Sequence, residues 1–191
     1  LGMAACCKFS FGSGDLAGRR VHLEGAGNVA GHLADLLVEA GARLAVCDIR
    51  PEASKALAAR HPEIEVMPTG EAFYSASCDI FAPCARGGSI NERTIRMLRS
   101  PIVCGAANNQ LEDPKTDARR LADRGILYAP DYVVNRGGVI SGGQELEFID
   151  EPNVLSLVDR VYPDLLAIFD KMRAGSLPTE AAEDLARRRA A

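Results

Sequence analysis

The sequence lacks the features that would direct a protein to a membrane or to nucleic acid. It has no apolar run close to the roughly 20 residues that a membrane-spanning helix needs, and it does not start with the charged and then apolar layout of a secretory signal. Its formal net charge is -4, without a long block of like charge except Arg187-Arg188-Arg189. These absences predict a cytoplasmic protein with no membrane segment and no nucleic-acid partner.

The cysteine and histidine spacings typical of metal sites and disulfide frameworks are also missing. No two cysteines form a CxxC pair, and the histidines have no ligand spacing. Several cysteines lie in or beside apolar runs, so buried free thiols are favoured over disulfides or zinc, and we assign no metal. The cysteines of the chain are Cys6, Cys7, Cys47, Cys78, Cys84 and Cys104, and the histidines are His22, His32 and His61.

Short apolar runs alternate with longer amphipathic stretches over most of the chain. The apolar runs lie at 21–23, 44–47, 64–67, 80–82, 102–104 and 126–129, and amphipathic stretches lie at 29–40, 52–60 and 116–124. Parallel strands need a crossover, which is usually a helix. Since such crossovers are right-handed, the pattern predicts an α/β fold with a doubly wound, Rossmann-type, mostly parallel sheet. With 191 residues and 47% hydrophobic content, one principal domain is expected.

From Val154 onward the pattern is helical only. Apolar residues recur at three- and four-residue steps and mark one stripe, in which Pro163 predicts either a kink or a helix boundary. After a breaker at 175–178, Thr179 is the expected N-cap of a last helix. We expect these C-terminal helices to pack against the sheet; the alternative is an interdomain or substrate-facing role.

The run GAGNVA at 25–30 follows the first apolar run and opens the first amphipathic stretch. It is a GxGxxA motif in a strand-turn-helix context, where the glycines permit a tight turn and a close backbone approach. Amides at the start of the helix then face a pyrophosphate. The alternative is an ordinary turn between a strand and a helix.

Asp48 favours a dinucleotide site and NAD as the cofactor. It ends the second apolar run, close to the spacing of roughly 20 residues after the first glycine that is typical of the carboxylate on the adenosine ribose. A carboxylate there repels the 2′-phosphate of NADP. Arg50 leaves open a contact to such a phosphate, the alternative being a solvated loop charge.

Three later segments place small or amide residues directly after apolar runs. They are DIFAPCA at 79–85, CGAANNQL at 104–111 and APDYVVNRGG at 129–138. Strands of a parallel sheet end at the edge where ligands bind, and asparagine offers a donor and an acceptor to a nicotinamide carboxamide and ribose. Taken singly, each asparagine is a loop-capping residue; together they fit a cofactor edge.

The runs GAGNVA, CDI, DIFAPCA, CGAANNQL and YAPDYVVNRGGVI together resemble the C-terminal nucleotide-binding domain of the leucine, valine and phenylalanine dehydrogenases, relatives of glutamate dehydrogenase. The resemblance implies NAD-dependent oxidative deamination of an L-amino acid to a 2-oxo acid and ammonia, by a homo-oligomer. It also implies that residues 1–15 are the remnant of an interdomain helix and linker. Residues 16–150 then form the dinucleotide-binding domain, and residues 151–191 form helices that complete it.

The same resemblance implies roles for individual residues. Those that contact the dinucleotide are Gly25, Gly27, Asn28, Val29, Asp48 and Ile49. Those that lie along the nicotinamide and ribose are Ala82, Pro83, Cys84 and Asn108. Asn135 reaches toward the bound substrate and cofactor at the domain cleft.

One departure from the family concerns catalysis. The catalytic lysine and much of the amino-acid pocket belong, in the family, to an N-terminal domain that is absent here, and we interpret all four lysines of this chain (Lys8, Lys55, Lys115 and Lys171) as surface charges. We therefore expect a piece of a longer protein that has no catalytic residue of its own. The alternatives are a non-catalytic nucleotide-binding or assembly module and a Rossmann dehydrogenase for another substrate class.

A second departure is Arg136, where relatives usually carry a small residue before the paired glycines. A guanidinium at the cleft suits a second carboxylate or a phosphate. It equally suits a side chain that points into solvent, and both interpretations stay open.

Overall fold

The computed structural model of the chain describes residues 1–148 and 150–190, and in these ranges the strands form one sheet. The strands are β1 (Arg20–Glu24), β2 (Arg43–Cys47), β3 (Glu65–Val66), β4 (Ile80–Pro83), β5 (Ile102–Val103) and β6 (Leu127–Tyr128). All are parallel, in the order β3-β2-β1-β4-β5-β6. The chain starts in the centre and winds out to each edge in turn, so the predicted doubly wound sheet is confirmed.

Helices connect the strands and follow the last one. They are α1 (Gly2–Phe11), α2 (Asn28–Glu39), α3 (Pro51–Arg60), α4 (Glu71–Ser75), α5 (Glu92–Met97), α6 (Pro114–Asp123), α7 (Asp131–Val134), α8 (Gly137–Glu145), α9 (Glu151–Asp159), α10 (Val161–Met172) and α11 (Pro178–Ala190). Amphipathic periodicity predicted α2, α3 and α6, whereas α4, α5 and α7 are too short to show it. None of the helices in the described ranges combines the length and apolar character of a membrane span.

Side chains of the central strands alternate between two apolar clusters, because helices cover both faces of the sheet. On β1, Val21 and Leu23 are fully buried in the cluster that includes α1 and α10. His22 points to the other face, where its ring centroid lies 5.2 Å from that of Phe73. Burial lowers the pKa of His22, so this ring is neutral at pH 7 and packs as part of the core.

The C-terminal helices complete the core on one face of the sheet. Leu165 and Phe169 of α10 are fully buried, and the ring centroid of Phe169 lies 5.2 Å from that of Phe9 in α1. Ala181 and Ala182 of α11 belong to the same cluster. The predicted packing of these helices against the sheet is confirmed.

The ends of these helices refine the sequence prediction. Pro163 follows the boundary between α9 and α10 and lies in the first turn of α10, where a missing N–H removes no helical hydrogen bond. Thr179 is not the N-cap that we predicted: α11 begins at Pro178, and the carboxylate of Glu180 accepts a hydrogen bond from the N–H of Leu177 at 2.9 Å. Proline in the first turn and this back-bonding glutamate start the helix earlier.

The cysteines are free thiols and are buried, except for Cys84, which is half-buried. Burial raises the pKa of Cys47 to about 12. A thiol with such a pKa stays protonated and unreactive at neutral pH, so Cys47 acts as a small core residue.

Candidate functional site

The glycine loop leaves the centre of the sheet at the end of β1. Gly25 has a φ of 111°, in the region that favours glycine, and its N–H donates a 2.7 Å hydrogen bond to the carbonyl oxygen of Cys47. A Cβ at position 25 would lie 2.9 Å from the Cβ of Ala85. Both the conformation and the space therefore require glycine here.

The first turn of α2 is open toward solvent. Gly27 is the N-cap, and among the described residues no side chain caps its amides and no acidic residue lies in the first turn. A Cβ at position 27 would meet nothing within 4 Å, whereas Ala30 is fully buried against the sheet. The unpaired amides and the helix dipole make this turn suitable for an anion such as a pyrophosphate.

Asp48 connects the glycine loop to the end of β2. Its Oδ2 accepts a hydrogen bond from the N–H of Ala26 at 2.8 Å, and its Oδ1 accepts one from the N–H of Arg50 at 2.8 Å. Burial opposes ionisation of the carboxyl, but these two amides and the Arg50 guanidinium outweigh it and hold the pKa of Asp48 below its usual range. Asp48 is thus an ionised carboxylate whose oxygens each retain a lone pair for a further donor.

A cavity of about 340 Å³, here called the β2-side cavity, lies beside the glycine loop. Gly25, Asp48 and Ile49, which the sequence predicted to contact a dinucleotide, line it, and Ile49 is 79% exposed. Further lining residues that sequence reasoning missed are Glu24, Tyr74, Arg86 and Ser89. The sequence signal that could have identified Glu24 is its position directly before the first glycine of the loop.

Glu24 and Tyr74 form a polar pair in the wall of the β2-side cavity. The phenol of Tyr74 donates a hydrogen bond to Oε1 of Glu24. Burial raises the pKa of Glu24, although the Tyr74 and Ser89 hydroxyls partly offset that effect. Burial and the neighbouring Glu24 carboxylate also raise the pKa of Tyr74, so this phenol is a hydrogen-bond donor throughout the physiological range.

A second cavity of about 530 Å³, here called the β5-side cavity, lies on the other side of the start of α2. Val29, Asn108 and Asn135 line it together with apolar residues of α2 and the start of α8. Nδ2 of Asn135 donates hydrogen bonds to the carbonyl oxygen of Ala107 at 3.2 Å and to Oδ1 of Asn108 at 2.6 Å. The structure therefore brings together the two asparagines that the sequence predicted for the cofactor edge.

The segment after β5 is held tightly against the end of β4. The N–H of Ala107 donates to the carbonyl oxygen of Pro83 at 2.9 Å, and a Cβ at Gly105 would lie 2.2 Å from that same oxygen. Gln110 is fully buried, and its Nε2 donates to the carbonyl oxygens of Gly105 at 2.8 Å and Ala107 at 3.0 Å. These bonds fix the backbone that carries Asn108.

Three predicted cofactor residues line neither of these two cavities. Ala82 is fully buried in the sheet, and neither it nor Pro83 nor Cys84 lines the β2-side or the β5-side cavity. The N–H of Cys84 donates a hydrogen bond to the carbonyl oxygen of Glu24 at 2.8 Å and extends the pairing of β4 with β1.

Arg136 does not take either of the orientations considered from the sequence. Its Nη1 donates a hydrogen bond to Oδ2 of Asp164 at 2.8 Å, and its Nη2 donates to the carbonyl oxygen of Leu157 at 3.1 Å. The guanidinium is thus neither free in solvent nor free to meet a ligand carboxylate, because a carboxylate of the chain itself is its partner. Asp164 lies 28 positions away in the chain, which sequence patterns do not reveal.

The lysines line neither of the two cavities. Lys8, Lys55 and Lys115 are exposed, and Lys171 forms an ion pair with Asp184. Over residues 1–148 and 150–190, no group of three or more histidine, cysteine, aspartate or glutamate side chains is arranged to hold a metal ion.

Comparison with known proteins assigns the chain to a family. The family described as Glutamate/Leucine/Phenylalanine/Valine dehydrogenase matches residues 45–148. The chain belongs to this dehydrogenase family. The match runs from β2 to the segment after α8 and includes Asp48, Asn108 and Asn135, so the resemblance recognised in the sequence is confirmed.

Curated members of the dehydrogenase family align with nearly the whole chain. It is 41% identical over 184 residues to the valine dehydrogenase of Streptomyces albus, covering 96% of this chain and 50% of that protein. It is 39% identical over 183 residues to the leucine dehydrogenase of Geobacillus stearothermophilus, covering 96% of this chain and 49% of that protein. The chain therefore spans about half the length of the curated relatives it matches.

Solved structures of dehydrogenases share the fold. L-tryptophan dehydrogenase from Nostoc punctiforme matches with a TM-score of 0.92 at 39% identity, over 98% of this chain and 56% of that one. A hetero-hexameric glutamate dehydrogenase from Thermus thermophilus, in its Leu bound form, matches with a TM-score of 0.71 at 22% identity, over 98% of this chain and 50% of that one. The second likeness, at its lower identity, concerns the fold alone.

Proposed function

We propose that this chain is the NAD(H)-binding part of an amino-acid dehydrogenase. The observation that carries the proposal is the glycine loop, which Asp48 holds at the carboxyl edge of the sheet between two cavities. The cavities, of about 340 and 530 Å³, are of a size that suits the two nucleoside halves of a dinucleotide. Membership in a dehydrogenase family supports the same assignment.

Each part of the cofactor has a proposed place. The pyrophosphate binds the free amides at the start of α2, where the dipole favours negative charge. The adenosine occupies the β2-side cavity, and its ribose hydroxyls donate to the remaining lone pairs of Asp48. The nicotinamide riboside occupies the β5-side cavity, where Asn108 and Asn135 offer donors and acceptors to the carboxamide.

Asp48 also supports a preference for NAD over NADP. Its pKa lies below the usual range, so it is fully ionised at neutral pH, and a 2′-phosphate would place further negative charge beside it. The Arg50 guanidinium, with Nε 3.8 Å from Oδ1 of Asp48, is 65% exposed and offsets this repulsion only in part.

Bound NAD supplies the hydride acceptor in the reaction that we propose for the whole enzyme, the oxidative deamination of an L-amino acid. The residues of this chain hold and orient the cofactor. Because none of its lysines lines either cavity, we assign cofactor binding, and not turnover, to this chain alone. A cytoplasmic homo-oligomer that acts on an amino acid and its 2-oxo acid completes the proposal.

Calorimetric titration of the chain with NADH and NADPH tests this function. We expect NADH to bind and NADPH to bind at least about tenfold more weakly. Asp48→Asn removes the charge and replaces one of the two acceptor oxygens with an NH2 donor, so it should weaken the binding of NADH and reduce the difference in affinity between the two cofactors. Asp170→Asn, on an exposed surface pair with Arg173, is the matched control. Absence of NADH binding at millimolar concentration would overturn the proposal.

A further inference from the structure

Arg136 connects the turn that carries Asn135 to the C-terminal helices. It lies between Asn135 and Gly137, which both line the β5-side cavity. Its side chain points away from that cavity, to Asp164 of α10 and to the last turn of α9. The backbone of Arg136 thus lies at the cofactor edge, and its side chain lies among the C-terminal helices.

Asp164 is an enclosed anchor for this arginine. Its side chain is 4% exposed and that of Arg136 is 23% exposed. Arg189 of α11 donates to the same carboxylate through both terminal nitrogens. Burial opposes ionisation, but the two guanidiniums outweigh it and hold the pKa of Asp164 below its usual range. Paired, charge-assisted hydrogen bonds in such an enclosed place permit little freedom of geometry.

On the side toward α8, the backbone of the turn continues into the helix, where the N–H of Ile140 donates a hydrogen bond to the carbonyl oxygen of Arg136 at 3.0 Å. Asn135 is held through Ala107 and Asn108, but Gly137 and Gly138 follow Arg136, and a Cβ at either glycine would meet nothing within 4 Å. These glycines therefore add no side-chain packing to that helical hydrogen bond. The hydrogen bonds of the Arg136 side chain with Asp164 and Leu157 are the side-chain restraint on the turn on that side.

We propose that Arg136 and Asp164 are positioning residues, which fix the Asn135 turn at the β5-side cavity and so set the affinity for the nicotinamide half of the cofactor. This inference rests on the proposed function and adds to it a role for helices that line neither half of the site. Neither residue needs to touch the cofactor.

The experiment compares two ligands that differ in the nicotinamide. NADH fills both cavities, whereas ADP-ribose carries only the adenosine, the pyrophosphate and a ribose. In Arg136→Ala and in Asp164→Asn, we expect the Kd for NADH to rise about fivefold or more, which corresponds to the loss of about one hydrogen bond. The Kd for ADP-ribose should change by less than about twofold. Arg187→Ala, which removes a 77% exposed arginine from α11, should change neither.

Each other outcome has a clear meaning. If the affinities for both ligands fall equally, or if neither affinity falls, the positioning role is wrong. If only Arg136→Ala weakens NADH, Arg136 contacts the cofactor directly and the inference is again wrong. If Asp164→Asn does not fold, Arg136→Lys decides, because a lysine that keeps one donor to Asp164 should recover part of the NADH affinity lost in Arg136→Ala, and no recovery overturns the inference. Failure of the unaltered chain to bind either ligand would count against the proposed function instead.

Discussion

Gly105→Ala should destabilise the fold by about 3 kcal/mol, because the new Cβ would clash with Pro83 of β4, mainly with its backbone. A Cβ at Gly105 would lie 2.2 Å from the carbonyl oxygen of Pro83 and 2.5 Å from its nitrogen. Pro83 ends β4, which is paired on both sides with β1 and β5, so it cannot move away without breaking the sheet. Overpacking usually costs about 1–3 kcal/mol, and a backbone neighbour places this site at the upper end.

Thermal and urea unfolding of the variant measure this loss. For a chain of this length, about 3 kcal/mol corresponds to a Tm lower by about 6–12 °C. Gly142→Ala is the matched control: it lies in α8, its Cβ would meet nothing within 4 Å, and alanine there should stabilise the helix by about 0.5–1 kcal/mol. A loss of less than about 1 kcal/mol in Gly105→Ala, or equal losses in the two variants, would refute the reasoning.

Two further predictions concern binding and pH. Gly27→Ala should cost less than about 1 kcal/mol of stability, because its Cβ would meet no atom within 4 Å. It should nevertheless weaken the binding of NADH at least about tenfold, since we propose that the pyrophosphate approaches the backbone at that point. Equal NADH affinities in calorimetry would contradict this. The lowered pKa of Asp164 means that its ionised form stabilises the fold above the unfolded pKa, near 3.8, and that this contribution is lost as pH falls through the folded pKa. Urea unfolding should therefore show that the difference in the free energy of unfolding between the unaltered chain and Asp164→Asn is constant from pH 7 to about 5 and decreases in stronger acid. A difference that increases in acid would contradict this linkage.

Local patterns were sufficient for the sheet and for the glycine loop. Apolar runs separated by amphipathic stretches leave little alternative to parallel strands with helical crossovers, and Gly25, Gly27 and Asp48 lie at the ends of the strands that the pattern located. The asparagines at 108 and 135 follow strands that end at the same edge, so their proximity follows from the fold class.

The remaining features depend on contacts between residues that are distant in sequence. The partner of Arg136 is carried by α10, the third helix after position 136, and nothing near that position identifies it. The glycine-rich stretch that forms α8 has low intrinsic helix propensity, which gave no reason to expect a helix. Glu24 and Tyr74 meet because β1 and α4 pack together, and their hydrogen bond is visible only in three dimensions.

The two hydrogen bonds that Asp48 accepts from Ala26 and Arg50 have a consequence for the energetics of ligand capture. A carboxylate of the chain itself, and not an incoming phosphate, thus holds the loop around the first glycine in the shape that we propose for binding. Little conformational entropy of the protein then remains to be lost there on association. Calorimetry should accordingly show that the adenosine end binds with little conformational change of the protein. Any conformational change on binding should be confined to the β5-side cavity.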